Sequence, residues 1–333
     1  METRHEARLG DARQLPGVGD QSVQLVVTSP PYPMIAMWDT VFAAMDPAIA
    51  GALEDQDGAR AFELMHAQLD RCWAELFRVL QPGGLACVNI GDATRSLGGQ
   101  FALWPNHARI LSGCMAAGFT VLPDILWRKP NNSPTKFMGS GMLPAGAYVT
   151  YEHEYVLVLR KGGRRRFKPA DAARRRRSAV FWEERNRWYS DLWELTGARQ
   201  GLPSAEVRKR SAAFPFELAW RLIQMHSLYE DRVLDPFGGT GTTALAAAVS
   251  GRSSLLVEHA EGLLETVQQT LELAPSIPRN EARIQAHAAF VEDRVCKHAN
   301  PRYGPVVTSQ ERELELWRCA ELQDGVARYA LLG

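Results

Sequence analysis

Residues 232–262, RVLDPFGGTGTTALAAAVSGRSSLLVEHAEG, decide how the rest of the chain is read. A short apolar run ends at Asp235-Pro236, a glycine-dense loop follows, then an alanine-rich helical run and a second apolar run. The pattern predicts strand, loop, helix, strand. Glycine lets backbone approach a ligand with no Cβ in the way, and the helix behind the loop offers N–H groups to an anion. Gly239-x-Gly241-x-x-Ala244, with Glu258 closing the next strand, has the spacing of a dinucleotide fingerprint. The loop alone does not choose its ligand. A nicotinamide cofactor would bring a pyrophosphate, which Asp235 repels; S-adenosylmethionine would bring a carboxylate and an ammonium, for which Asp235 is an acceptor.

Outward from this stretch, strands and helices alternate, which favours a mostly parallel sheet with helices on its faces. A strand near His5–Leu9 ends in GDAR, and a second, Leu25–Thr28, runs into TSPPY (28–32). Pro30 and Pro31 fix their own φ and lack N–H donors, so the chain must leave the strand as a rigid elbow. In open α/β sheets that edge faces the ligand cleft, so Ser29 and the Tyr32 ring could meet something planar and polar there. Residues 62–80 carry apolar side chains at helical spacing and stop at QPGG; LACVNIGD (85–92), ILWRKPN (125–131) and YEHEYVLVLRKGG (151–163) are strand-like, and FPFELAWRLIQMHS (214–227) is an amphipathic helix.

Composition narrows the classes. At 46% hydrophobic and 23% charged the chain is ordinary globular protein. No apolar run approaches the roughly 20 residues that span a bilayer, and METRHEARLGDAR is too polar for a signal peptide, so a cytoplasmic protein with no membrane partner is expected. Five scattered cysteines without a C-x-x-C pair suggest neither disulfide framework nor zinc site. In EHEY (152–155) alternation separates neighbouring side chains, so a solvated edge fits better than a metal site. Net charge is zero, yet residues 160–187 hold twelve Lys or Arg against three acids, a local footprint for an acidic partner.

DPFGGTGTT together with TSPPY resembles the S-adenosylmethionine-dependent amino DNA methyltransferases. The order, elbow before glycine loop, is similar to their circularly permuted beta class, and GDAR, VLQPGG, ILWRKPN, FPFELAWRLI and LLVEHAEG extend the likeness over about 5–162 and 209–265. The resemblance implies a circularly permuted, Rossmann-like α/β fold with a small target-recognition insertion. It divides the chain into an elbow half (1–162), a recognition segment (163–208), a cofactor half (209–265) and an extension (266–333) expected to be helical.

By the same resemblance, Ser29 Oγ and the Pro30 carbonyl accept the exocyclic amine of a flipped-out base while Pro31 stiffens the elbow and Tyr32 stacks on the ring. The cofactor lies against Asp235, Pro236, Phe237, Gly238, Gly239, Thr240 and Gly241, beside Thr28. Glu258 takes the ribose, Asp11 the adenine, and Phe214 and Pro215 line the pocket. No metal is required. Double-stranded DNA is the implied partner, with Arg164, Arg165, Arg166, Arg174, Arg175, Arg176 and Arg177 on its phosphates, and Trp38 with the loop to Gly58 as a second wall. A restriction endonuclease acting on the same site would be the cognate protein; oligomeric state is left open.

Serine at the head of the elbow is typical of members that make N(4)-methylcytosine, where adenine-N(6) members carry Asp or Asn. Methylation of cytosine at ring carbon five needs a thiolate, usually in a Pro-Cys pair, and no cysteine here follows a proline. Three alternatives stand beside the cytosine-N(4) expectation: adenine-N(6) methylation, a non-catalytic sequence-specific DNA-binding protein on the same scaffold, and an NAD-linked oxidoreductase that only the loop supports.

Overall fold

The computed structural model describes residues 1–129, 138–139, 143–149, 151–197, 214–297 and 307–332. Strands β1 (Glu2–Leu9) and β2 (Val23–Thr28) lead into helices α1 (Asp39–Met45), α2 (Pro47–Glu54) and α3 (Gly58–Val79), and then β3 (Leu80–Ile90). A hairpin of β4 (Ala93–Leu97) and β5 (Gln100–Trp104) precedes α4 (Asn106–Ala116), β6 (Phe119–Val121) and β7 (Ile125–Arg128). After the short pair β8 (Met138–Gly139) and β9 (Ala147–Tyr148) comes the long β10 (His153–Lys161), then α5 (Pro169–Arg177), α6 (Trp182–Trp188) and β11 (Leu192–Glu194). The glycine-loop half contributes α7 (Phe216–His226), β12 (Arg232–Asp235), α8 (Thr242–Val249) and β13 (Ser253–Glu258); α9 (Leu264–Leu271), α10 (Arg279–Lys297), β14 (Leu316–Gln323) and β15 (Val326–Leu332) complete the chain.

Among the described residues one sheet holds eleven strands in the order β11-β7-β10-β3-β2-β12-β13-β1-β15-β14, with β6 on β10. Its centre, β3-β2-β12-β13-β1, is parallel throughout. Side chains alternate across it, so Val26 packs on one face and Leu25 and Val27 on the other. On the first face α3 presents Ala61, Phe62, Met65, Leu69, Cys72, Trp73 and Leu76, a helical stripe; on the second lie α7 and the alanine-rich α8. Both faces covered is the condition under which parallel strands become continuous apolar runs.

Parallel strands end together. Leu9, Thr28, Asp235 and Glu258 all close their strands at one edge of the sheet, and the site lies there. β10 runs the other way, with Tyr155 opposite Ile90 and Arg160 opposite Leu85, so it begins at that edge and delivers the chain to the far one.

Three expectations are corrected. The arginine-rich segment sits at the far edge: Arg165 and Arg174 pair with Asp231, which precedes β12, Arg176 with Glu313 at 2.8 Å and Arg177 with Glu315 at 3.3 Å. Arg175 lies over the Phe167 ring. Arg165 and Arg174–Arg177 are thus engaged by this chain's own side chains at the edge opposite the cleft; the part of the recognition segment at 198–208 lies outside the described residues. Second, the extension is not all helix. Asp324 and Gly325, both at positive φ, turn β14 into β15, and β15 pairs antiparallel with β1, which would otherwise be a bare edge. Third, EHEY is no solvated edge, because β10 is internal, between β3 and β7.

The extension also grips the insertion. Arg283 on α10 and Glu184 on α6, both buried, form a two-bond ion pair at 2.6 and 2.7 Å. The Trp182 N–H donates to Glu311 at 2.5 Å, and Trp188 packs edge-on against Trp220.

Candidate active site

The glycine loop is built as its composition requires. Gly239 (φ +53°) and Gly241 (φ +88°) occupy the left-handed region, where a Cβ is strained. A Cβ on Gly241 would also lie 3.2 Å from the Val267 backbone, and one on Gly238 3.1 Å from Leu256. Gly241 is the residue that opens α8.

Asp235 is buried beneath this loop. Thr28 Oγ1 and Thr243 Oγ1 each donate to it at 2.6 Å, and the Phe237 N–H donates at 3.1 Å. Burial lifts its pKa to about 6, against the pull of the threonine hydroxyls. A buried carboxylate with no cation partner would gain from a positive charge beside it. Glu258 instead accepts from two backbone groups, Gly239 N at 2.7 Å and Ala260 N at 2.8 Å, and so clamps the loop as well as facing the cavity. Asp11 is paired with Arg13 at 2.6 Å; burial opposes its ionisation, but the Arg13 hydrogen bonds outweigh that and hold its pKa below the ordinary range.

These groups line one cavity of about 640 Å³ with the elbow residues Ser29, Pro30 and Pro31. Phe214, Pro236, Phe237, Thr240 and Trp38 are also in its wall, and α1 closes it with Thr40, Val41, Ala44 and Met45. A volume of this order suits a nucleoside-sized ligand. Trp38 thus belongs to the same cavity as the glycine loop rather than to a separate wall. Thr28, Pro215, Gly241 and Tyr32 stand behind the lining: Thr28 through Asp235, Pro215 as the cap of α7, and Gly241 at the start of α8.

Tyr32 is buried rather than displayed. Its hydroxyl donates to Glu154 Oε2 at 2.9 Å and accepts from Asn89 Nδ2 at 2.8 Å and from Ser29 Oγ at 3.2 Å. Burial first, and the Glu154 charge second, push its pKa well above the ordinary phenol value, so it stays protonated. Asn106 pins the other end of the elbow, donating to the Pro33 carbonyl at 3.1 Å and the Gly91 carbonyl at 3.0 Å. Sequence reasoning missed Asn89, Asn106, Lys129 and Glu154. Among the described residues no group of three or more acidic, His or Cys side chains is placed to hold a metal ion.

A glycine loop over a buried acid and a proline elbow, opening on one cavity with the elbow first in sequence, define a circularly permuted, Rossmann-like methyltransferase domain. The chain belongs to the DNA methylase family whose model, N6_N4_Mtase, matches residues 23–269. It is 47% identical over 325 residues to the Type II methyltransferase M.MthZI of Methanothermobacter thermautotrophicus, covering 95% of this chain and 91% of that one. To M.MjaI of Methanocaldococcus jannaschii it is 46% identical, over 81% of this chain and 91% of the relative. A candidate DNA modification methylase from Thermus thermophilus, solved in complex with S-adenosyl-L-methionine, superposes with a TM-score of 0.62 at 32% identity, covering 80% of this chain and 93% of that one.

Proposed function

We propose that this protein is a Type II modification methyltransferase that uses S-adenosylmethionine to convert a flipped-out cytosine in double-stranded DNA to N(4)-methylcytosine, within a restriction-modification system. The observation that carries the reading is Ser29, which lines the cavity beside the glycine loop while its own proton is given to Tyr32. An exocyclic amine is a poor nucleophile because its lone pair is delocalised into the ring. Acceptors aimed at its hydrogens draw it toward tetrahedral geometry, and in this reading Ser29 Oγ and the Pro30 carbonyl are those acceptors.

The residues present fit the cofactor: Asp235 would hold the ammonium, the N–H groups of Thr240 and Thr242 at the start of α8 the carboxylate, Glu258 the ribose, and Phe214 and Phe237 the flat apolar base. When bound it supplies an electrophilic methyl group. The protein's part is to orient the amine toward that group and to exclude water, which for an in-line transfer is most of the catalysis. The amine is buried and paired inside a duplex, so extrusion of the base is required. The Type II relatives are the support for a partner endonuclease with the same recognition site.

The test is to incubate purified protein with S-adenosylmethionine and unmethylated genomic DNA, digest to nucleosides, and identify the product by mass spectrometry. N(4)-methylcytosine is expected. N(6)-methyladenine would refute the choice of base, and an absence of both would refute the transferase reading.

A further inference from the structure

The polarity of hydrogen bonding at the elbow is fixed by a residue more than 120 positions away. Glu154, near the start of β10, turns one oxygen to each of two sets of donors: Oε2 accepts from Tyr32 Oη at 2.9 Å and from Asn89 Nδ2 at 2.7 Å, while Oε1 accepts from Lys129 Nζ. The contact is closely built, since a Cβ on Gly91 would fall 3.0 Å from the Tyr32 ring and 3.1 Å from Glu154 Cγ. An ionised carboxylate only accepts and an amide nitrogen only donates. Tyr32 must therefore give its single proton to Glu154, and its lone pairs take Asn89 and Ser29. Ser29 in turn spends its single proton on Tyr32. What Ser29 has left to show the cavity is lone pairs.

We propose that Glu154 is a positioning residue which, acting through Tyr32, holds Ser29 as a pure acceptor toward the amine of the target base. The inference rests on the amino-methyltransferase reading above. Without the carboxylate the Tyr32 proton is free to turn toward Ser29, whose own proton then points into the cavity and opposes the N–H groups it should receive. An acceptor lost in this way acts on the chemical step, because the amine needs it most as it becomes tetrahedral.

Glu154→Gln tests this. Both oxygens of Glu154 face donors, so an amide must present its NH₂ to one side: to Lys129, or to Tyr32 and Asn89. The expected result is a fall in kcat of roughly tenfold or more, the loss of one well-placed hydrogen bond, with S-adenosylmethionine affinity by calorimetry unchanged and the melting temperature lowered by no more than a few degrees. In the double variant Lys129→Met with Glu154→Gln the amide can turn its NH₂ to the vacated side and its oxygen to Tyr32, and most of the lost kcat should return. Tyr32→Phe, which keeps the ring and removes the hydroxyl, should show the same fall and serves if Glu154→Gln does not fold. Wild-type kcat in Glu154→Gln or in Tyr32→Phe, or a double variant no faster than Glu154→Gln, overturns the inference alone. Wild-type protein that methylates neither base overturns the underlying reading and the inference with it.

Discussion

Asp235→Asn should make the protein more stable without its cofactor and much worse at binding it. The Asp235 carboxyl has a pKa of about 6 in the folded chain against an ordinary 3.8, the work of burial. The folded state thus holds this proton more tightly than the unfolded one. The stabilisation is complete below pH 3.8 and is lost as pH rises through about 6, so at neutral pH the buried charge costs about 3 kcal/mol. Asparagine removes that charge but leaves an NH₂ facing one of the two threonine hydroxyls, a loss of about 1 kcal/mol. The net gain is about 1–2 kcal/mol, or a few degrees in Tm. Denaturant unfolding of ligand-free protein should show the gain at pH 7.5 and none at pH 4. Binding should run the other way. A cation beside Asp235 needs the ionised form, and at pH 5 only about one molecule in ten has it. Calorimetry should therefore give wild-type affinity for S-adenosylmethionine about tenfold weaker at pH 5 than at pH 7, and a weak, pH-flat affinity for the variant. A variant less stable than wild type at pH 7.5, or a wild-type affinity that does not change between pH 7 and pH 5, would refute the reasoning.

Gly241→Ala should lower stability by about 1–3 kcal/mol, since it puts a Cβ at φ +88° and against the Val267 backbone; an unchanged melting curve would contradict the strain. Arg283→Met strands the Glu184 charge in the core and should cost about 3–5 kcal/mol, while a double variant with Glu184→Leu regains most of it. Equal stability of the single and double variants in urea would show that the pair is not coupled. Replacing Arg176 and Arg177 by serine should leave the salt dependence of DNA binding as it was, because both arginines are paired at the far edge of the sheet. A slope of log K against log salt flattened by about 2 would put them back on the phosphates.

The glycine loop and the elbow were legible because each is local: PFGGTGTT and SPPY carry their geometry in adjacent residues, and the strand positions that aim them, Asp235 and Thr28, immediately precede them. Glu154 was not. In EHEY it reads as one acid among two, and only the antiparallel pairing of β10 with β3 brings it under Tyr32. The same reversal misled the reading of the arginine run, whose charge is plain in sequence but whose side of the sheet depends on which way the preceding strand travels. The C-terminal hairpin had a legible signal in QDG between LELWRCAEL and VARYALL, and the long helical stretch before it obscured the change of period. Asp92 accepts from the His107 backbone N–H at 3.0 Å in the first turn of α4, and also from the His107 ring at 2.7 Å and the Tyr151 hydroxyl at 3.2 Å, partners no local pattern announces.

The Glu184–Arg283 pair bears on how such proteins exchange parts. If the segment between β10 and α7 carries target recognition, as the resemblance implies, exchanging that block alone would be the simplest way to change specificity. Here it is not self-sufficient, since α6 is held by α10 and by Glu311 from the tail. A chimaera that imports residues 163–197 alone is expected to bury an orphan guanidinium and to accumulate in insoluble form. One that imports 279–297 and 307–315 along with them should yield folded protein, so the two stretches are expected to pass between genomes as one unit.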